Sequence, residues 1–184
     1  REIASMMAGQ LKSGTKNFTK EQLQDNLDSM KSSIDFYFSG QSMVIDIRSY
    51  EKSLEPVMAL VKECLTNATF PENELEKAKA ESKSSLESQM NEPQSVAFVQ
   101  LSKHTENYSR EHFMYTPAPK EQIEDQAKVT RDQLVSFYNT FLGGSYGVGT
   151  VVGDLDPARV KTVMTATFGS WRSEEHTSEL QSRE

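Results

Sequence analysis

With 184 residues, 36% of them hydrophobic and 26% charged, the chain suits one globular domain with a buried core. A net charge of −7 without a basic stripe argues against a nucleic-acid partner, and no apolar run approaches a membrane span. The single cysteine, Cys64, excludes an internal disulfide framework.

The chain opens inside a helical pattern, "REIASMMAGQLKSG", and is read as a fragment truncated at its N-terminus. That pattern predicts a helix over 1–12 stopped by Gly14, the residue that most easily takes a left-handed C-terminal turn. Thr19 and Gln22 form a capping box for a second helix, whose buried face is Leu23, Leu27 and Met30. The period then changes to two. Ile34, Phe36 and Phe38 alternate with Asp35 and Tyr37, and Met43, Ile45 and Ile47 alternate with Val44 and Asp46, which predicts a hairpin around "SGQ".

Leu54, Val57, Met58, Leu60, Val61, Cys64 and Leu65 make a broad apolar stripe at helical spacing. Cys64 lies on that stripe, so it reads as a buried structural thiol. After "TNATFP", Pro71 suits the start of a helix over 72–91, whose charges are mixed in sign and read as a solvated face. Pro93 opens a further helix carrying Val96, Val99 and Lys103, and a looser stretch covers 106–122. Thr130 and Gln133 repeat the capping box ahead of Leu134, Phe137, Tyr138 and Phe141. A glycine-rich turn over 143–149, a short strand over 148–152 and a cap at Asp156 before Pro157 follow. In the last helix Val160, Val163, Met164 and Phe168 face the core, and Gly169 ends it. This order predicts an α+β domain, an antiparallel-rich sheet with helices packed on one side.

Local candidates for chemistry are few. "GGSYGVG" follows a helix and precedes a strand, the reverse of a dinucleotide-binding turn. His104 and His112, with Glu106 and Glu111 nearby, read as surface residues because nothing else gathers ligands there. The sequons at Asn17, Asn67 and Asn107 are short enough to arise by chance. Glu175, His176 and Glu179 have metal-ligand spacing, but Leu180 is the only large apolar residue after Trp171 to anchor a helix there.

Several stretches, in order, resemble the insulinase/pitrilysin family of zinc metallopeptidases. They are "LKSGTKNFTKEQLQDNLDSM", "LEPVMALVKECLTNATFPENELEKAKAES", "SQMNEPQSVAF", "VTRDQLVSFYNTFLGGS" and "VVGDLDPARVKTVMTATFGSW". The resemblance runs from about residue 4 to 171 and implies a metallopeptidase half-domain of the LuxS and processing-peptidase type. Family catalytic domains carry H-x-x-E-H shortly before the Gly-Thr that corresponds to Gly14-Thr15, two histidines on zinc and a glutamate as general base. Those positions fall on Ser5, Ala8 and Gly9. A further glutamate ligand falls near Ser84 and Ser85, flanked by Glu81 and Glu87.

The resemblance therefore implies a non-catalytic domain, most like the first domain of the second half of long bacterial members. It carries no catalytic residue, metal or other cofactor of its own. Zinc is expected in the catalytic half of the parent protein, in the same chain or a partner subunit, with a peptide substrate in the shared chamber and a periplasmic or cell-envelope setting. Alternatives are a non-proteolytic scaffold or assembly subunit, and a self-contained metalloenzyme using the tail cluster. At Arg172 the family pattern stops, and "RSEEHTSELQS" reads as the in-frame translation of a common short-read sequencing adapter. The domain is accordingly expected to be residues 1–171, with 172–184 an artefact. Without the tail's two arginines and four glutamates the charge is −5, which would favour basic or neutral peptides.

Overall fold

A computed structural model describes residues 2–105, 108–112, 114–144, 146–169 and 171. Helix α1 (Glu2–Gln10) is followed by α2 (Lys20–Ser29), whose N-cap Thr19 accepts from Gln22 N at 3.2 Å while Gln22 Oε1 accepts from Thr19 N at 2.9 Å. Strands β1 (Ser33–Ser39) and β2 (Ser42–Arg48) pair antiparallel with Ser39 opposite Ser42. Gly40 turns the hairpin at φ +62°, a left-handed conformation that suits glycine. Ile34 and Phe36 point into the core and Asp35 and Tyr37 point out, the alternation read from the sequence.

A short 3-10 turn (Glu51–Ser53) leads into α3 (Leu54–Asn67), which buries Val57, Met58, Leu60, Val61, Cys64 and Leu65. Each large apolar side chain fully removed from water there contributes roughly 1.5–3 kcal/mol. The long α4 (Glu72–Met90) begins directly after Pro71 and buries Leu75 and Leu86. Helices α5 (Pro93–Thr105), α6 (Pro119–Ala127), α7 (Arg131–Phe141) and α8 (Pro157–Phe168) complete the described elements.

The architecture is α+β. Helices α1 and α2 lie against β1, α1 also packs on α6 and α7, α4 packs on α5 and α6, and α8 packs on α3. One core runs through these elements, with Met7, Leu11, Ile34, Val57, Val61, Phe70, Leu75 and Leu134 all essentially inaccessible. Val163, Met164 and Phe168 pack against its edge from α8.

Three features differ from the sequence reading. Helix α1 ends at Gln10, and Gly14, at φ +151°, closes a corner instead of capping the helix. Gly14 O accepts from Thr69 N at 3.0 Å, and Lys16 N donates to Asn67 O at 2.9 Å, so the α1–α2 and α3–α4 connections are stitched together. A Cβ on Gly14 would lie 3.2 Å from Pro71 Cγ, which is why a glycine stands there. Second, α6 lies partly within the stretch read as loose. Pro119 fits its first turn and Glu121 Oε2 accepts the Ala118 N–H at 2.7 Å. Third, residues 148–152 form no strand, because among the described residues no neighbouring strand lies beside them to complete a ladder.

Candidate functional site

Helices α1, α2 and α4 enclose a groove of about 420 Å3, with Ser5 and Gly9 on the α1 wall and Glu81 and Ser82 on the α4 wall. Ser5 and Gly9 are exposed there, one turn apart. Ala8 turns the other way and is buried in the core at 1% exposure. Ser84, Ser85 and Glu87 are exposed on α4 and do not line the groove. Of the positions that the family resemblance singled out, the fold brings Ser5, Gly9 and Glu81 to one cavity and separates the rest.

What fills the polar part of this groove is an ion cluster that sequence reading missed. Glu74 sits buried on α4, with Lys20 Nζ 2.6 Å from Oε2 and Lys77 Nζ 2.6 Å from Oε1. Hydrogen bonds from Lys20 and then Lys77 hold the Glu74 carboxyl below its usual range, and Glu74 in turn raises Lys77. The i,i+3 spacing of Glu74 and Lys77 is visible in the sequence, but the burial depends on Lys20 from another helix. A polar chain closes the α4 side. Ser82 Oγ lies 2.7 Å from Gln126 Oε1, and Gln126 Nε2 donates to Glu2 Oε2 at 3.0 Å, tying α4, α6 and α1 together. Gln10 also lines the groove, but among the described residues its buried Oε1 has no hydrogen-bond partner.

The donor set does not fit a zinc ion. A hydroxyl at Ser5, a methyl at Ala8 and a hydrogen at Gly9 offer neither imidazole nor carboxylate, and of the two carboxylates on the α4 wall Glu74 is held by Lys20 and Lys77, which leaves Glu81. Among the described residues, no group of three or more His, Cys, Asp or Glu is placed to hold a metal ion. Elsewhere, burial pushes the Cys64 thiol up to about 12, so it is neither a nucleophile nor a ready ligand at neutral pH. His104 is exposed at the end of α5, and the exposed His112 ring stacks on Tyr108 with centroids 4.6 Å apart. Asn17 and Asn67 each donate to the Glu63 carboxylate, at 2.9 and 2.6 Å. Asn107, Glu106 and the Glu175, His176, Glu179 cluster lie outside the described residues. No helix among the described residues is long and apolar enough to cross a membrane.

Residues 6–117 match the family described as Insulinase (Peptidase family M16), and residues 128–184 match the Peptidase M16 inactive domain. No curated protein matches significantly. Among solved structures, a peptidase M16 inactive domain from Pseudomonas fluorescens is similar over 94% of this chain and 42% of that one, with 18% identity and a TM-score of 0.76. A protease from Helicobacter pylori is similar over 94% and 41%, with 16% identity and a TM-score of 0.77. The first half of the periplasmic protease PqqL from Escherichia coli is similar over 93% and 37%, with 17% identity and a TM-score of 0.74. The chain thus spans less than half the length of these three solved chains.

Proposed function

Because this chain belongs to the insulinase family, peptidase family M16, we propose that it is a non-catalytic domain that helps enclose a peptide for a zinc centre carried elsewhere. The observation behind this reading is the α1 wall of the groove. The positions that correspond to the family's two histidines and glutamate hold Ser5, Gly9 and Ala8, and none offers a metal ligand or general base. In the Lys20–Glu74–Lys77 cluster on the neighbouring wall, both Glu74 carboxylate oxygens are taken by lysines and the cluster keeps a net positive charge. No catalytic step runs through this groove.

In the parent protein, zinc and the general base belong to a catalytic half, joined covalently or as a separate subunit. This domain supplies wall and closure surface to the shared chamber. Likeness to half of a periplasmic protease supports both the two-half arrangement and a periplasmic or cell-envelope setting. The unit that does this is residues 1–171, and residues 172–184 are read as adapter-derived.

The test is zinc content and peptide hydrolysis of the purified chain. After dialysis against zinc, metal analysis should find no stoichiometric zinc on residues 1–171, and fluorogenic peptides should remain intact. One equivalent of zinc together with hydrolysis would show a catalytic domain and end this reading.

A further inference from the structure

We propose that the α1–α2–α4 groove holds one aliphatic side chain of an uncharged peptide, laid across α1 at Gly9 with its backbone on the Gln10 amide. This deepens the reading of a peptide-enclosing domain and rests on it for the class of ligand. The groove is walled by helices of this chain and opens on the Ser5 and Gly9 side of α1. Met7, Ala8 and Leu11 turn the other way, into the core that holds Ile34 and Phe36 of β1. Strands added to the sheet would extend it beside the hairpin, away from this opening.

Two neighbouring residues of α1 point to a ligand. Gly9 is helical, with no positive φ to require a glycine, and a Cβ there would meet nothing within 4 Å. Glycine weakens a helix, and no packing contact demands it here, so its effect is to leave bare backbone facing the groove. Next to it, Gln10 is 6% exposed and lines the same groove, and among the described residues its Oε1 has no partner. A buried oxygen in that state weakens the fold and is an acceptor suited to a peptide N–H. Met6, Leu23, Leu27 and Ala78 supply an apolar lining in a groove of about 420 Å3, room for one side chain and a stretch of backbone. Charge selects the occupant. Lys12, Lys20 and Lys77 stand against Glu74 and Glu81 in the lining, and Asp35 holds Lys12 at 3.0 Å, so the groove is locally neutral. Neither a carboxylate nor an ammonium would regain there what it loses on leaving water.

Amide NMR of the isotope-labelled 184-residue chain, titrated with the end-capped peptide Ala-Ala-Leu-Ala-Ala, tests this. The Gly9, Gln10 and Ala78 resonances should shift saturably, and aspartate or lysine in place of the central leucine should weaken binding by about tenfold or more. Gly9→Leu, whose side chain has room to fill the groove, should raise the thermal midpoint and abolish binding. Gln10→Met, similar in length but without Oε1, should hold or raise the midpoint while weakening binding by about tenfold. Stability gained as binding is lost marks a ligand site, since a purely structural residue would lose stability. Ser84→Leu, exposed on α4 outside the groove, should bind as wild type. The proposal is overturned by the absence of saturable shifts, by equal affinity for the aspartate peptide, by a Gly9→Leu chain that still binds, or by a fall in its midpoint. A chain that takes up no zinc and binds no peptide ends this inference alone, whereas zinc uptake with hydrolysis ends the non-catalytic reading.

Discussion

Arg159 holds together two helices that lie about a hundred residues apart in sequence. Its guanidinium reaches from α8 to Glu55 at 2.7 Å from each carboxylate oxygen, and to Glu51 at 3.0 Å. The hydrogen bonds from Arg159, with those of the backbone at the start of α3, lower the Glu55 carboxyl from 4.5 to about 2. A carboxyl depressed on folding adds stability above its unfolded value, and that stability is lost as pH falls through the folded value. The window here runs from about 4.5 down to about 2. Arg159→Met should lower the thermal midpoint slightly at pH 7, and the gap from wild type should close by pH 2, as followed by circular dichroism. A gap that persists at pH 2 would mean that Arg159 acts through packing. At this scale the sequence was legible where a residue's fate is local: Cys64 on its apolar stripe is buried as read. Glu74 was not legible, because its burial is made by Lys20, 54 positions away.

Among the elements, both Thr-x-x-Gln capping boxes appear where they were read, since the partners lie within one turn of each other. The hairpin and the α3 stripe were equally readable from their periods of 2 and 3.6. Gly14 was misread because its role is set by a segment more than fifty residues away, not by the helix before it. There it meets Thr69 and Pro71, next to Phe70, which holds φ +49° while Arg131 Nε donates to its carbonyl at 2.8 Å. Gly14→Ala would put a Cβ into Pro71 and Thr69 at a backbone angle that L-residues rarely adopt. It should cost roughly 1–3 kcal/mol, seen as a lower urea midpoint with an unchanged slope. Strand 148–152 is the reverse case. Its composition reads as strand, but a strand exists only once a ladder partner is present, and sequence periodicity carries no information about that partner.

For the whole molecule, the family and the α+β class were readable because many short stretches agree in order over the domain. The groove was only half readable. The family resemblance, counted back from Gly14, located Ser5, Ala8 and Gly9, but their division between cavity and core depends on where α4 and α7 pack. The match to the inactive-domain description runs through residue 184, so the tail has two readings that one deletion separates. If residues 172–184 are adapter-derived, ending the chain at Trp171 should shift the thermal midpoint by less than about 1 °C. The parent DNA should then also depart from the adapter after the Trp171 codon. A fall of several degrees would make the tail part of the fold. The packing of α1 has a further consequence for synthesis. Its buried Met7, with Leu11 just beyond its end, belongs to the core that includes Leu134, and α1 lies against α7. Helix α1 therefore waits for its contact with α7 while roughly 120 residues are made, or roughly 6–24 s at about 5–20 residues per second. For that interval β1 can cover one side of α1, but the side that meets α7 stays open on the nascent chain, an apolar strip that a chaperone could hold.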